Sequence, residues 1–154
     1  MMSSRVQKIL KRRPKDEGFS LIELVVVIAV LAILSAVAIP AFVGVQSNGK
    51  ASAVKNGLVN GVKECAVRAS DDKTTAFADA QSFANTTAFS GYTLTKYNTV
   101  AGGAPADSCY GAKATAAAGS GLTDFTIEMD PSDGSIDKQC GDATKPGCKT
   151  GKVW

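Results

Sequence analysis

Glu23 is the residue whose chemistry fits its surroundings least. It stands in a run from Phe19 to Ile39 whose only other polar side chains are Ser20 and Ser35. A carboxylate at mid-bilayer costs about 2.5–3.5 kcal/mol on insertion scales. Two readings are open from the residue alone. Close to one end of a span, Glu23 reaches the headgroups. Alternatively it awaits a cation: a cut between Gly18 and Phe19 would free an α-ammonium four residues before it. Those charges can pair within one chain or between neighbours. Pairing between chains would help fix their register, although desolvation offsets much of the Coulomb gain.

The other chemistry-bearing residues are four cysteines and a group of aspartates. Cys65, Cys109, Cys140 and Cys148 suit an oxidising compartment and allow three disulfide connectivities. A short Cys140–Cys148 loop and a Cys65–Cys109 staple from helix to sheet are favoured, because position 65 falls on an apolar helical stripe. Each closure would contribute roughly 2–4 kcal/mol. A zinc site of four thiolates is the alternative, and the lack of C-x-x-C spacing argues against it. Asp130, Asp133 and Asp137 surround a glycine turn. Their spacing does not follow the EF-hand loop, and turn chemistry accounts for them. Asn85-Thr-Thr fits the glycosylation pattern, which is short enough to match by chance.

The chain has no histidine. That removes the commonest general base and a common zinc ligand. Ser20 and Ser35 lie in the apolar run with no base to activate them, and nothing selects a catalytic carboxylate pair. The expectation is a protein that is not an enzyme and holds no cofactor or metal.

The elements that carry these residues follow from patterning. As a helix, Phe19–Ile39 would be about 31 Å long, which matches the roughly 30 Å hydrocarbon thickness of a bilayer. In lipid a single span must satisfy its own backbone, so it has to be helical. Pro40 removes a donor and crowds the preceding turn, so a bend is expected there. Beyond it, Ala51, Val54, Leu58, Val62, Cys65 and Ala69 recur at helical spacing and continue the helix over 46–70. Gly57 and Gly61 weaken that helix by roughly 1 kcal/mol each relative to alanine.

Phe77, Ala80, Phe83 and Ala84 suggest a short helix. Tyr92, Leu94 and Tyr97 suggest a short extended piece. Ala101-Gly-Gly-Ala-Pro105 reads as a loop. Cys109 to Ala118 is ambiguous and can be read as one strand. Phe125, Ile127 and Met129 alternate with Thr126, Glu128 and Asp130, which marks a half-buried strand. Pro131-Ser-Asp-Gly134 is a turn, so Ser135–Cys140 returns as a second strand. Residues 141–154 read as a Gly-, Lys- and Thr-rich tail.

Charge is distributed unevenly. The net charge is +3, yet residues 1–18 hold six basic and two acidic side chains, a net +4. The remaining residues hold 11 basic and 12 acidic side chains. The basic pI therefore belongs to the leader, and no specific nucleic-acid partner is expected. Lys and Arg before a span favour a cytoplasmic N-terminus. Ala36, Ala38 and Ala41 imitate an ordinary secretory cleavage site, and that alternative would release a soluble domain.

The stretch GFSLIELVVVIAVLAI from Gly18 resembles the class III signal and N-terminal helix of type IV pilins and type II secretion pseudopilins. Pro40 also falls where such helices usually carry a proline. The resemblance implies cleavage after Gly18 by a prepilin peptidase, N-methylation of Phe19, and contact between Glu23 and a neighbouring subunit's N-terminus during assembly. It implies an α+β, pilin-like fold. The first half of a long N-terminal helix is transmembrane, the second half packs on a small antiparallel β-sheet, and disulfides stabilise the C-terminal region.

The expected organisation is a cleaved leader (1–18), a transmembrane and filament-core helix (19–45) and an extracytoplasmic globular domain (46–154). Within that domain a helix continuation (46–70), a connecting region (71–107) and a sheet with a cysteine-bounded tail (108–154) follow in order. The partners implied are other pilins in a homo-oligomeric filament, the prepilin peptidase and methyltransferase, the pilus assembly machinery and the bacterial inner membrane. The pilus subunit is the leading reading and the pseudopilin its alternative, with a monomeric anchored or released binding domain as a third. Adhesion, motility and DNA uptake are not separated by these residues.

Overall fold

The computed structural model describes residues 18–99 and 104–154. The leader up to residue 17 and residues 101–103 of the expected loop lie outside the described residues. The chain forms two compact units, residues up to Ala41 and Phe42–Trp154.

Helix α1 runs Leu21–Ser70 and includes Pro40. In the first unit its side chains are exposed around the helix: Leu21 is 80% and Val37 76% exposed. The segment is long and apolar enough to cross a membrane. Ser35 Oγ donates to the Leu31 carbonyl at 2.7 Å, so this hydroxyl is satisfied within the helix.

In the second unit the α1 stripe forms one wall of the core. Ala51, Val54, Leu58, Val62 and Cys65 are fully buried, and Ala69 is partly buried against the same cluster. The opposite wall is a four-stranded antiparallel meander in the order β1-β2-β3-β4. The strands are β1 (Tyr92–Lys96), β2 (Gly111–Ala116), β3 (Phe125–Met129) and β4 (Ile136–Cys140). Tyr92 pairs with Ala116, Ala112 with Ile127, and Phe125 with Cys140. This register gathers Leu94, Ala112, Ala114, Phe125 and Ile127 on the face packed against α1. The sheet begins at Tyr92, inside the stretch expected to be connecting, and the ambiguous Cys109–Ala118 segment contains strand Gly111–Ala116.

Two covalent ties close this unit. Cys65 on α1 is bonded to Cys109 just before β2, and Cys140 at the end of β4 is bonded to Cys148.

The two helical glycines have a packing role. A Cβ on Gly61 would fall 2.1 Å from the Phe83 ring, and one on Gly57 would fall 2.1 Å from the Phe89 ring. Each glycine therefore seats an aromatic ring against the helix backbone, which offsets its weak helix propensity. Phe83 is fully buried and stacks on Phe77 with centroids 4.9 Å apart.

The expected helix over 77–84 is split into a 3-10 turn, Phe77–Asp79, and α2, Gln81–Ala84, with Ala80 extended between them. The cause is a distant carboxylate. Glu64 on α1 accepts the backbone N–H of Gln81 at 2.7 Å and of Ser82 at 3.0 Å, which restarts the helix after Ala80.

Strand β3 departs from simple alternation. Glu128 is on the face away from α1 yet is 7% exposed. Thr99 covers it, donating both its backbone N–H and its hydroxyl to the carboxylate. The C-terminal residues also fold back. Val153 bridges to Gln139 beside β4. The Trp154 indole N–H is shared between the carbonyls of Thr126 and Gln139, at 3.1 and 2.9 Å, and its ring stands edge-on to Phe125.

Gly61→Ala is expected to destabilise the second unit by about 2 kcal/mol despite its better helix propensity, because the buried Phe83 ring has nowhere to move. Gly49→Ala meets nothing within 4 Å and is expected to stabilise by up to about 1 kcal/mol. Denaturant unfolding of the detergent-solubilised chain measures both. Burial raises the Glu64 pKa, but the Ser82 and Gln81 N–H groups, the Ser82 hydroxyl and Arg68 outweigh it, and the carboxyl lies below its ordinary 4.5. Its contribution is present above the unfolded-state pKa and is lost as pH falls through the lower folded value. Glu64→Gln is therefore expected to lower the unfolding midpoint at neutral pH, with the difference from the native chain shrinking as pH falls below the ordinary carboxyl value.

Candidate functional site

The site is the start of α1. Gly18, Phe19 and Ser20 precede the helix and are exposed, so the Gly18–Phe19 peptide bond is accessible. A Cβ at Gly18 meets nothing within 4 Å, and Gly18 is not among the positive-φ glycines. Among the described residues nothing calls for glycine there. A demand for a small residue at 18 would have to come from outside this chain.

Glu23 stands one turn beyond Phe19. Its Oε2 accepts the backbone N–H of Ser20 at 2.9 Å. Ser20-Leu-Ile-Glu23 has the capping-box pattern, in which the third helical residue reaches back to the residue that opens the helix. The pattern is legible in the sequence as Ser-x-x-Glu, and its capping role adds a local function to Glu23. The carboxylate is thus held at the helix N-terminus, where the helix dipole favours negative charge. From Phe19 to Gly49 the chain has no Lys or Arg. Among the described residues Glu23 has no ion-pair partner. Phe19, Ile22, Val26 and Val27 surround it in a shallow open apolar depression, with Phe19 89% exposed. Chemically the arrangement offers a fixed anion on an apolar surface.

Pro40 and Ser35 belong to the first unit, and the cysteines, the hairpin aspartates and Asn85 belong to the second. The aspartates of the hairpin are engaged locally. Asp130 accepts the Ser132 N–H and hydroxyl, Asp133 the Ser135 N–H, and Asp137 the Gln139 side-chain amide. Among the described residues no group of three His, Cys, Asp or Glu is placed to hold a metal. Asn85 Oδ1 accepts the Thr87 N–H and hydroxyl in an exposed Asx turn. Glu64, Glu128 and Trp154 hold the second unit together through long-range bonds. No short-range pattern announces them, because their partners are 17 or more residues away in the chain or on another strand.

The long apolar N-terminal helix, the antiparallel sheet and the two disulfides form an α+β pilin fold, and the chain is type IV pilin-like. Residues 13–39 match the prokaryotic N-terminal methylation motif. Over 51 residues the chain is 41% identical to the type IV major pilin protein PilA of Myxococcus xanthus (strain DK1622). That match covers 33% of this chain and 23% of the relative, so the chain spans less than a quarter of that protein's length. No solved structure matches the chain.

Proposed function

We propose that this chain is the structural subunit of a type IV pilus. It is inserted in the bacterial inner membrane with its basic leader in the cytoplasm. It is cut after Gly18, N-methylated on Phe19, and then carried into a surface filament whose core is a bundle of α1 helices.

The observation that carries this reading is the apolar surface of α1, exposed from Phe19 to Pro40 and from Phe42 to Val45 and headed by a carboxylate with no cation of its own among the described residues. Lipid satisfies that surface before assembly, and neighbouring helices satisfy it afterwards. Cleavage supplies the missing cation. The new ammonium of Phe19 on one subunit meets Glu23 of another, so that pairing favours one axial register and disfavours the rest. Likeness to a major pilin favours a pilus over a secretion pseudopilus.

Filaments sheared from cells are expected to contain this chain as their main component. Its N-terminal peptide should begin at Phe19 and carry one added methyl group by mass spectrometry. Full-length precursor as the only form in those cells would remove the processing step from the mechanism. Glu23→Ala is expected to be processed normally while filament yield drops at least about tenfold, the scale of a lost 1.4 kcal/mol per subunit contact. Unchanged yield would remove the register role of Glu23. Gly18→Ala should retain much of the processing, and a bulky side chain at 18 should abolish it.

A further inference from the structure

Lysine side chains gather at the end of the second unit where α1 enters it. Lys55 Nζ donates to the Gly147 carbonyl at 3.1 Å, so the Cys140–Cys148 loop lies against this part of the helix. Lys55 and Lys138 both face the Trp154 ring, with Nζ atoms 5.9 and 5.0 Å from its centroid. Burial and then the positive charges of Lys149 and Lys138 lower the Lys55 pKa. Lys145 and Lys152 flank Asp142 in the same terminal segment. Among the described residues none of these lysines forms an ion pair, whereas Lys73, Lys96 and Lys113 each pair with an aspartate. Lys55, Lys138 and Lys149 thus form a local excess of positive charge that an external anion can neutralise.

The same unit also carries an exposed apolar stretch. Its helix opens with Phe42, Val43 and Val45, which are 63%, 56% and 69% exposed. Lys50 follows five residues after Val45 and Lys55 ten after it. Those positions lie about 7 and 15 Å along the helix from the last apolar side chain. The headgroup layer is about 5–8 Å deep on each side of the hydrocarbon, and screening acts over about 8 Å at physiological salt. An exposed apolar stretch followed by lysines and an amphipathic tryptophan offers the groups that an anionic headgroup layer would take.

We propose that, before assembly, this lysine- and tryptophan-bearing end of the globular unit docks on the anionic lipid headgroups of the leaflet from which the helix emerges. The inference rests on the membrane-inserted precursor of the proposed function. It adds a second hold on the membrane, one that must be released when the subunit is extracted.

Trp154 is the single tryptophan of the chain and reports on the patch directly. The full chain is inserted into vesicles of phosphatidylcholine, with or without phosphatidylglycerol, that carry a headgroup spin label. Insertion is checked separately by alkaline extraction. Quenching of Trp154 is expected to be more than about twofold stronger with phosphatidylglycerol at low salt, and to lose that excess at high salt. Lys55→Gln/Lys138→Gln/Lys149→Gln should lose it at low salt as well. The wild-type salt and lipid series decides the matter even where that variant folds poorly. Equal quenching in both lipids, from a chain that resists alkaline extraction, overturns the docking and leaves the pilus reading intact. Quenching that follows protein density instead of anionic lipid assigns the patch to a second copy and also overturns it. A chain removed by alkaline extraction defeats the membrane step of the proposed function, and the docking with it.

Discussion

One helix must satisfy two different environments. From Leu24 to Ile39 the α1 segment is apolar on every side save for Ser35, and from Ala51 onward it is apolar along one stripe. The first pattern suits a surround that rejects polar groups everywhere. The second suits a partner on one side and water on the other. Everything else in the chain follows from closing that stripe. The meander presents small and medium side chains, Ala112, Ala114 and Ile127, toward it, and Phe125 fills the space near its start.

How closely the helix and its neighbours approach is decided by side-chain volume. Gly57 and Gly61 are poor helix formers, and in isolation they look like defects. In the folded unit they are the places where the Phe89 and Phe83 rings touch the backbone. The Cys65–Cys109 bond fixes the same helix to the entrance of β2, and Glu64 orders the segment between them by accepting N–H groups from Gln81 and Ser82. Packing, a covalent tie and a charged cap thus act on consecutive turns of one helix. Their combined effect is to hold a loop-rich segment that has little regular structure of its own.

The polar chemistry divides by location. Glu23 sits at the exposed start of α1 and is held by a single local bond to Ser20. Glu64 and Glu128 sit on the globular unit and are held by bonds that cross the fold. A carboxylate with a local bond can exchange it for a partner at little structural cost. One that bridges distant segments cannot, because the segments would separate. The assembly role proposed for Glu23 relies on this difference, while Glu64 and Glu128 serve the fold itself.

The helix, its stripe and the β3–β4 hairpin were legible in the residues because each is a local pattern. Period 3.6 marks the Ala51–Ala69 stripe, period 2 marks Phe125–Met129, and Pro131 to Gly134 marks the turn. The motif at Gly18, Phe19 and Glu23 was legible for the same reason, since all its members lie within six positions. Other features depended on residues brought together from far apart. Strand β1 was hard to place because its alternation is short and its neighbour β2 is built largely of alanine, which signals strand weakly. The burial of Glu128 depended on Thr99, 29 residues away, and the return of Trp154 depended on carbonyls of two strands. Sequence by itself determined which segments avoid water and with what period. Only the tertiary structure decided which glycines are seats, which carboxylates are covered and where the last residues lie, because those outcomes are set by contacts between segments.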